Sequence, residues 1–250
     1  MKILFISLGC DKNLADSEEM LGLLTGNGHE IVDSEEEADA IVINTCCFIH
    51  DAKEESVNTI LEMAEYKKTG TCKILIVTGC MAQRYKEEIT EEIPEVDAVL
   101  GTTSYGDIVK ALNEAEAGHV FREFKDINAL PEDSGRRVIT TGGHFGYLKI
   151  AEGCDKHCTY CIIPSLRGKF RSVPEERLLK QAEYMASQGV RELILVAQET
   201  TVYGTDLYGK KTLHILLKKL CQIKGIRWIR VLYCYPEEIY DELIQVMKEE

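Results

Sequence analysis

Two stretches of the chain are apolar at consecutive positions rather than alternate ones: ADAIVINT at Ala38–Thr45 and CKILIVTG at Cys72–Gly79. A strand with one face in water alternates; an uninterrupted apolar strand has both faces covered. The segments between them carry a helical pattern: ADSEEMLGLLTGNG, ended by Gly28, then HDAKEESVNTILEMAEYKK and QRYKEEITEEI. With KILFISL, HEIVD and DAVLG as further strands and a closing helix from about Tyr105 to Ala115, strand and helix alternate over residues 1–115. That alternation predicts an open parallel sheet with helices on both faces.

Residues 116–143 are mixed and loop-rich and read as a linker. From residue 144 to 250 a second α/β series follows, with strands in HFGYLKIAEG, VRELILVAQ and IRWIRVLYCYP, each followed by a helical segment. Three strand–helix units make about half of a closed eight-unit barrel, which takes ~250 residues by itself. The last helix is charged and uncapped, so the chain is expected to be truncated relative to its natural product.

No apolar run approaches the ~20 residues that span a bilayer. The start, MKILFISLGC, lacks the longer apolar region and cleavage site of a signal peptide. A cytoplasmic location is expected, and there the ten cysteines point to metal binding or catalysis rather than disulfides. The net charge of −13 speaks against direct nucleic-acid binding, which needs a basic face, and suits a basic protein partner.

Cys154, Cys158 and Cys161 are spaced C-x-x-x-C-x-x-C in AEGCDKHCTYCIIP, directly after a strand signal. Closed zinc and fully protein-held iron–sulfur sites normally take four ligands; three leave one metal position open, where chemistry can occur. Three more cysteines close predicted strands: Cys10 in SLGC, Cys46 in INTC and Cys80 in VTGC. Parallel sheets bind ligands outside the carboxyl ends of their strands, so these three are candidate ligands too, against the reading of cysteine as a small core residue. Cys47, Cys72, Cys221 and Cys234 take that core reading; of the neighbours Cys46 and Cys47, which face opposite ways on a strand, one is expected to ligate.

The C-x-x-x-C-x-x-C motif with Tyr160 before its last cysteine resembles the radical S-adenosylmethionine (SAM) enzymes. The strand-end trio and the run CIIPSLRGKFRS narrow the resemblance to the methylthiotransferases. SLGCDKNLADSE at Ser7–Glu18 and AQETTVYG at Ala197–Gly204 resemble the branch acting on ribosomal protein S12. The resemblance implies a flavodoxin-like N-terminal domain (1–115) followed by the first half of a radical SAM (β/α) partial barrel (144–250), without the small C-terminal β-domain of the family. It implies two 4Fe-4S clusters, one on Cys10, Cys46 and Cys80, the other on Cys154, Cys158 and Cys161. The second would bind SAM and generate a 5′-deoxyadenosyl radical. That radical would abstract a hydrogen from an aspartate β-carbon of the ribosomal protein, and the first cluster would supply the sulfur, methylated by a second SAM. An electron donor is required. No catalytic residue is assigned beyond the clusters. Cys47 stands where the family often has Gly. The nearest alternative is the tRNA adenosine methylthiotransferase; a different class is a non-catalytic zinc or iron–sulfur module.

Around these sets, Tyr160, Gln198 and Glu199 are candidate cofactor-binding residues; Gln198, Glu199 and Thr200 follow a barrel strand at its C-terminal end and either hold SAM or substrate or take a solvated or capping role. Tyr233 and Tyr235 either line the same pocket or simply pack. Arg167, Lys169 and Arg171 read as a solvated basic run, with contact to an acidic side chain or to a cluster as the alternative. His157 is read as exposed or supporting rather than a ligand. Asn13, Asp16 and Ser17 are candidates to position the first cluster, with capping of the first helix the preferred reading for Asp16 and Ser17.

Overall fold

The computed structural model describes residues 1–132 and 135–250. They divide into two compact units: Met1–Val138 with Ser165–Arg167, and Ile139–Pro164 with Gly168–Glu250.

In the first unit the chain runs β1 (Lys2–Ser7), α1 (Asp11–Gly26), β2 (Glu30–Val32), β3 (Ala40–Thr45), α2 (His50–Thr69), β4 (Ile74–Gly79), α3 (Cys80–Arg84), α4 (Lys86–Glu92), β5 (Ala98–Leu100), α5 (Ile108–Glu116) and β6 (Phe121–Glu123). The six strands form one sheet in the order β2-β1-β3-β4-β5-β6, all parallel. The two uninterrupted apolar stretches are its centre, β3 and β4, buried along their whole length. On one face Ala40, Val42, Ile74 and Ile76 pack with Met20 and Leu24 of α1 and Ile108 and Leu112 of α5. The alternate residues Ile41, Ile43, Leu75 and Val77 belong to the opposite face. Helix α2 contacts β3 and β4 and buries Ile60 and Met63. Each such side chain stabilises the fold by about 1.5–3 kcal/mol relative to exposure.

Two expectations are corrected here. Helix α1 starts at Asp11, not Ala15, with Cys10 as its extended N-cap residue and no side-chain cap. Asp16 and Ser17 therefore lie inside the helix, both buried, and cap nothing. The segment read as a linker carries strand β6, and its Val138 N–H donates to the Glu18 carbonyl of α1 at 3.0 Å. Residues 133 and 134 of that segment lie outside the described residues.

The second unit contains β7 (Phe145–Lys149), β8 (Ala151–Glu152), the first two residues of the short helix α6 (Ile163–Arg167), whose other three belong to the first unit, β9 (Arg171–Ser172), α7 (Glu175–Ser187), β10 (Glu192–Val196), α8 (Thr205–Tyr208), α9 (Leu213–Cys221), β11 (Trp228–Val231) and α10 (Asp241–Glu249). Its parallel sheet has the order β11-β10-β7. The predicted strand HFGYLKIAEG is two: after β7 the chain turns off at Ile150, and β8 pairs antiparallel with β9. Among the described residues no helix is long and apolar enough to cross a membrane.

Candidate metal centres

Ser7, Asn44 and Thr78 are register partners across β1, β3 and β4, so the three strands end level. β1 and β3 lie on either side of the point where the strand order reverses, the usual ligand crevice of such sheets. Cys10, Cys46 and Cys80 follow these strand ends. Gly9 (φ +90°) and Gly79 (φ +94°) have backbone conformations that exclude a side chain. A Cβ on Gly9 would lie 2.6 Å from the Cys46 Cβ, and one on Gly79 would lie 2.3 Å from the Asn44 Oδ1.

Asn13 braces this crevice. Its Nδ2 donates to the carbonyls of Leu8 (3.1 Å) and Thr45 (2.9 Å), one beside each of the Cys10 and Cys46 loops. Its Oδ1 accepts from the Arg167 guanidinium at 2.5 Å and faces the Cys80 thiol at 3.8 Å. Arg167 also pairs with Asp16 at 2.8 Å. Asn44 donates to the Asn13 carbonyl and the Ser17 hydroxyl, both at 2.9 Å. Arg167 is 3 % exposed, which corrects the reading of a solvated basic run; Lys169 alone of the three basic residues is exposed. Burial pushes the Cys80 thiol up, the Arg167 charge pulls it down, and Cys10 and Cys46 push it up again. Cys46 is likewise raised, by burial first, and feels both Cys10 and Arg167. Cys46 and Cys80 thus feel the same guanidinium.

Cys47 behaves differently from its neighbour. Its thiol donates to the Cys80 carbonyl at 3.3 Å, and burial pushes it up to about 12. Cys72 is buried, as a core cysteine should be, but Cys234 is exposed, so the core reading fails there; its sulfur lies 3.4 Å from the Thr200 hydroxyl.

Cys154, Cys158 and Cys161 lie in one loop of the second unit, each half-buried. Gly153 (φ +69°) lets the loop pass the Lys169 backbone, where a Cβ would meet a carbonyl at 2.0 Å. The Cys154 N–H donates to the Gly168 carbonyl at 3.1 Å, and Cys161 N–H to the Cys158 carbonyl at 2.9 Å. Burial first, then the proximity of Cys161 and Cys158, raises the Cys154 thiol. The Tyr235 hydroxyl lies 3.6 Å from the Cys158 sulfur, and that contact pushes the phenol up to about 12. Lys156 crosses the Tyr235 ring and pairs with Glu238 at 2.5 Å. His157 is exposed with φ 49°, and Tyr160 is 83 % exposed.

Of the residues after β10, Gln198 is half-buried and Glu199 is buried. Glu199 Oε1 accepts from the Thr201 N–H (3.0 Å) and hydroxyl and from the Tyr235 N–H (3.4 Å), while its Oε2 has no partner. A buried carboxylate oxygen left unpaired is an acceptor waiting for a donor. Tyr233 has φ 60° and is half-exposed. Asn44, Lys156 and Glu238 escape a reading of the sequence: one sits in an apolar strand, and the others pair across more than eighty positions.

Among the described residues no three Cys, His, Asp or Glu side chains converge as ligands of a single ion. A 4Fe-4S cluster takes one thiolate per iron, so its ligands need not meet at a point. Two all-cysteine sets, glycine-cradled and each one short of four, fit a cluster better than a closed zinc site.

Family models match both halves: the uncharacterized protein family UPF0004 over residues 2–101 and the radical SAM superfamily over residues 148–250. The chain is 66% identical over 250 residues to ribosomal protein uS12 methylthiotransferase RimO of Lachnoclostridium phytofermentans, covering 100% of this chain and 57% of that protein. Its two halves thus match a UPF0004 region and a radical SAM region, in the order found along a chain similar to a methylthiotransferase. The same-named proteins of Clostridioides difficile strain 630 (52% over 248 residues; 99% of this chain, 56% of the relative) and Clostridium botulinum strain Eklund 17B (54% over 246 residues; 98% and 55%) agree. The chain spans about half the length of these curated relatives. Among solved structures, the radical SAM methyltransferase TsrM of Kitasatospora setae, with cobalamin and a [4Fe-4S] cluster bound, superposes with a TM-score of 0.62 over 98% of this chain and 58% of that one. At 12% identity that likeness concerns the fold: an α/β N-terminal domain followed by a partial radical SAM barrel. The radical SAM match supports an iron–sulfur cluster and SAM; the tRNA-modifying and non-catalytic alternatives are not favoured by these relatives.

Proposed function

We propose that the chain carries the two cluster sites of a methylthiotransferase that modifies an aspartate β-carbon of ribosomal protein uS12. The observation that supports this reading most is the grouping of Cys10, Cys46 and Cys80 around Asn13 at level strand ends, in a chain that also holds the C-x-x-x-C-x-x-C loop. In this reading Cys10, Cys46 and Cys80 hold one 4Fe-4S cluster and Cys154, Cys158 and Cys161 the other, each leaving an iron open. When bound, the clusters and SAM supply the radical and sulfur chemistry that no side chain can. The chain's own residues bind and orient them. Glu199 offers its unpaired Oε2 to a donor of SAM, Gln198 lies beside it, and Tyr160 is free to close over the loop. The acidic chain suits a basic ribosomal protein; the one-electron donor is a further partner, and the enzyme works in the cytoplasm.

The test is anaerobic iron and sulfide content after reconstitution, on this chain and on its Cys154→Ala/Cys158→Ala/Cys161→Ala variant. About eight irons falling to about four is expected for two clusters of this type. About four falling to none would leave Cys10, Cys46 and Cys80 as structural residues and refute the two-cluster reading. The substrate is tested on full-length protein, by mass spectrometry of uS12 for exchange of one aspartate hydrogen for a methylthio group.

A further inference from the structure

Arg167 is not one of the cluster-loop cysteines, yet its side chain is buried in the first unit although it lies in the second half of the sequence. Ser165–Arg167 group with the first unit, where the Thr102 hydroxyl donates to the Leu166 carbonyl at 2.8 Å. The guanidinium reaches residues more than 150 positions away, Asp16 at 2.8 Å and Asn13 at 2.5 Å. Asn13 in turn holds the backbone beside Cys10 and Cys46 and faces the Cys80 sulfur. Cys46 and Cys80 are buried, as are Asn13 and Asp16. A cluster on three thiolates carries excess negative charge, and buried charge requires a counter-charge. The guanidinium is fixed on two sides, so it cannot follow the charge; it is preset.

We infer that Arg167 is a positioning residue for the Cys10/Cys46/Cys80 cluster, compensating its negative charge and, through Asn13, setting the cysteine loops. Asp16 is the partner that fixes Arg167 and attenuates its charge. This deepens the proposed function and rests on its assignment of Cys10, Cys46 and Cys80 as ligands.

The sign of the effect distinguishes this role from a purely structural one. A nearby positive charge favours the more reduced cluster. Losing Arg167 should therefore lower the reduction potential, and losing Asp16 should raise it. The experiment uses the 250-residue chain with Cys154, Cys158 and Cys161 replaced by Ala, so that only the first set can hold iron. Dye-mediated potentiometry followed by electron paramagnetic resonance is run on this parent and with Arg167→Gln, Arg167→Lys or Asp16→Asn added. Arg167→Gln should shift the reduction equilibrium at least about tenfold toward the oxidised form, ~59 mV downward for one electron. Asp16→Asn should shift it upward, and Arg167→Lys, which keeps the charge, should stay within a few-fold of the parent. Shifts of the same sign in Arg167→Gln and Asp16→Asn, or no shift in either, would overturn the inference. Should Arg167→Gln not load iron, the Asp16→Asn shift decides alone: upward supports, absent refutes. A parent that holds no iron refutes instead the ligand assignment beneath it.

Discussion

Replacing Asn13 by Ala should destabilise the first unit far more than its size suggests. Asn13 is fully buried and serves three strand ends at once. Its loss leaves the buried Thr45 carbonyl without that donor, about 1–3 kcal/mol, and removes the bond to the half-buried Leu8 carbonyl, about 0.5–1.5 kcal/mol. The charged bond from Arg167 adds roughly 1.5–3 kcal/mol, for a total of about 3–7.5 kcal/mol. Urea unfolding of the metal-free chain, followed by far-ultraviolet circular dichroism, reads this directly. With slopes of ~1–3 kcal/mol per molar, the midpoint of the first unit's transition should fall by about 1 M or more. Asn27→Ala is the control: the same side chain, just past the other end of α1, bonded to the Leu23 carbonyl at 2.8 Å but exposed to water. It should change stability by no more than about 0.5 kcal/mol. If Asn13→Ala moved the midpoint no more than Asn27→Ala, the bracing role would be wrong.

Two further outcomes follow from burial. Tyr203 is buried with its hydroxyl donating to the Val173 carbonyl at 2.9 Å, and burial raises its phenol well above the ordinary 10.0. Above pH 10 the unfolded chain loses this proton and the folded one keeps it, so stability should fall with rising pH by about 1.4 kcal/mol per unit. Comparison of alkaline melts with Tyr203→Phe, which removes that slope contribution, checks it; identical pH profiles would contradict the assignment. Cys47→Ala should leave the iron content of the reconstituted chain unchanged while Cys46→Ala lowers it, because the Cys47 thiol is turned to a carbonyl and held protonated; equal losses in both would show that Cys47 also ligates.

The parallel sheet was legible because β3 and β4 carry apolar residues on both faces, a pattern that depends only on local sequence. The strand-end placement of Cys10, Cys46 and Cys80 followed from the same pattern. What stayed hidden is the polar layer beneath those cysteines. The segment CDKNLADSEE has no apolar period, so its first turn read as a loop with caps, yet Lys12, Asn13, Asp16, Ser17, Glu18 and Glu19 are all buried. Nothing local announces that, since their partners are remote: Arg167 for Asp16, Arg137 for Glu18 and the Tyr105 hydroxyl for Glu19. Arg167 read as surface for the same reason. In the second unit the break at Ile150 was missed because the run stays apolar through the turn; it is set by hydrogen bonds to Val196 and Val173.

Those remote partners explain why an acidic helix can form the floor of the first site. A buried ion pair gains little net stability over a well-packed apolar pair, because desolvation offsets most of the attraction. Leaving one partner alone, however, is strongly unfavourable. Helix α1 therefore gains selectivity rather than strength from its carboxylates. Asp16 excludes arrangements in which Arg167 is elsewhere, and Glu18 does the same for Arg137, which sits 6 % exposed against it at 2.6 Å. Two points of the chain separated from α1 by 119 and 151 residues are thereby returned to one helix. The second of them, Arg167, belongs to the first unit although it lies far along the chain from α1. An apolar α1 could bury as much surface and would pin neither.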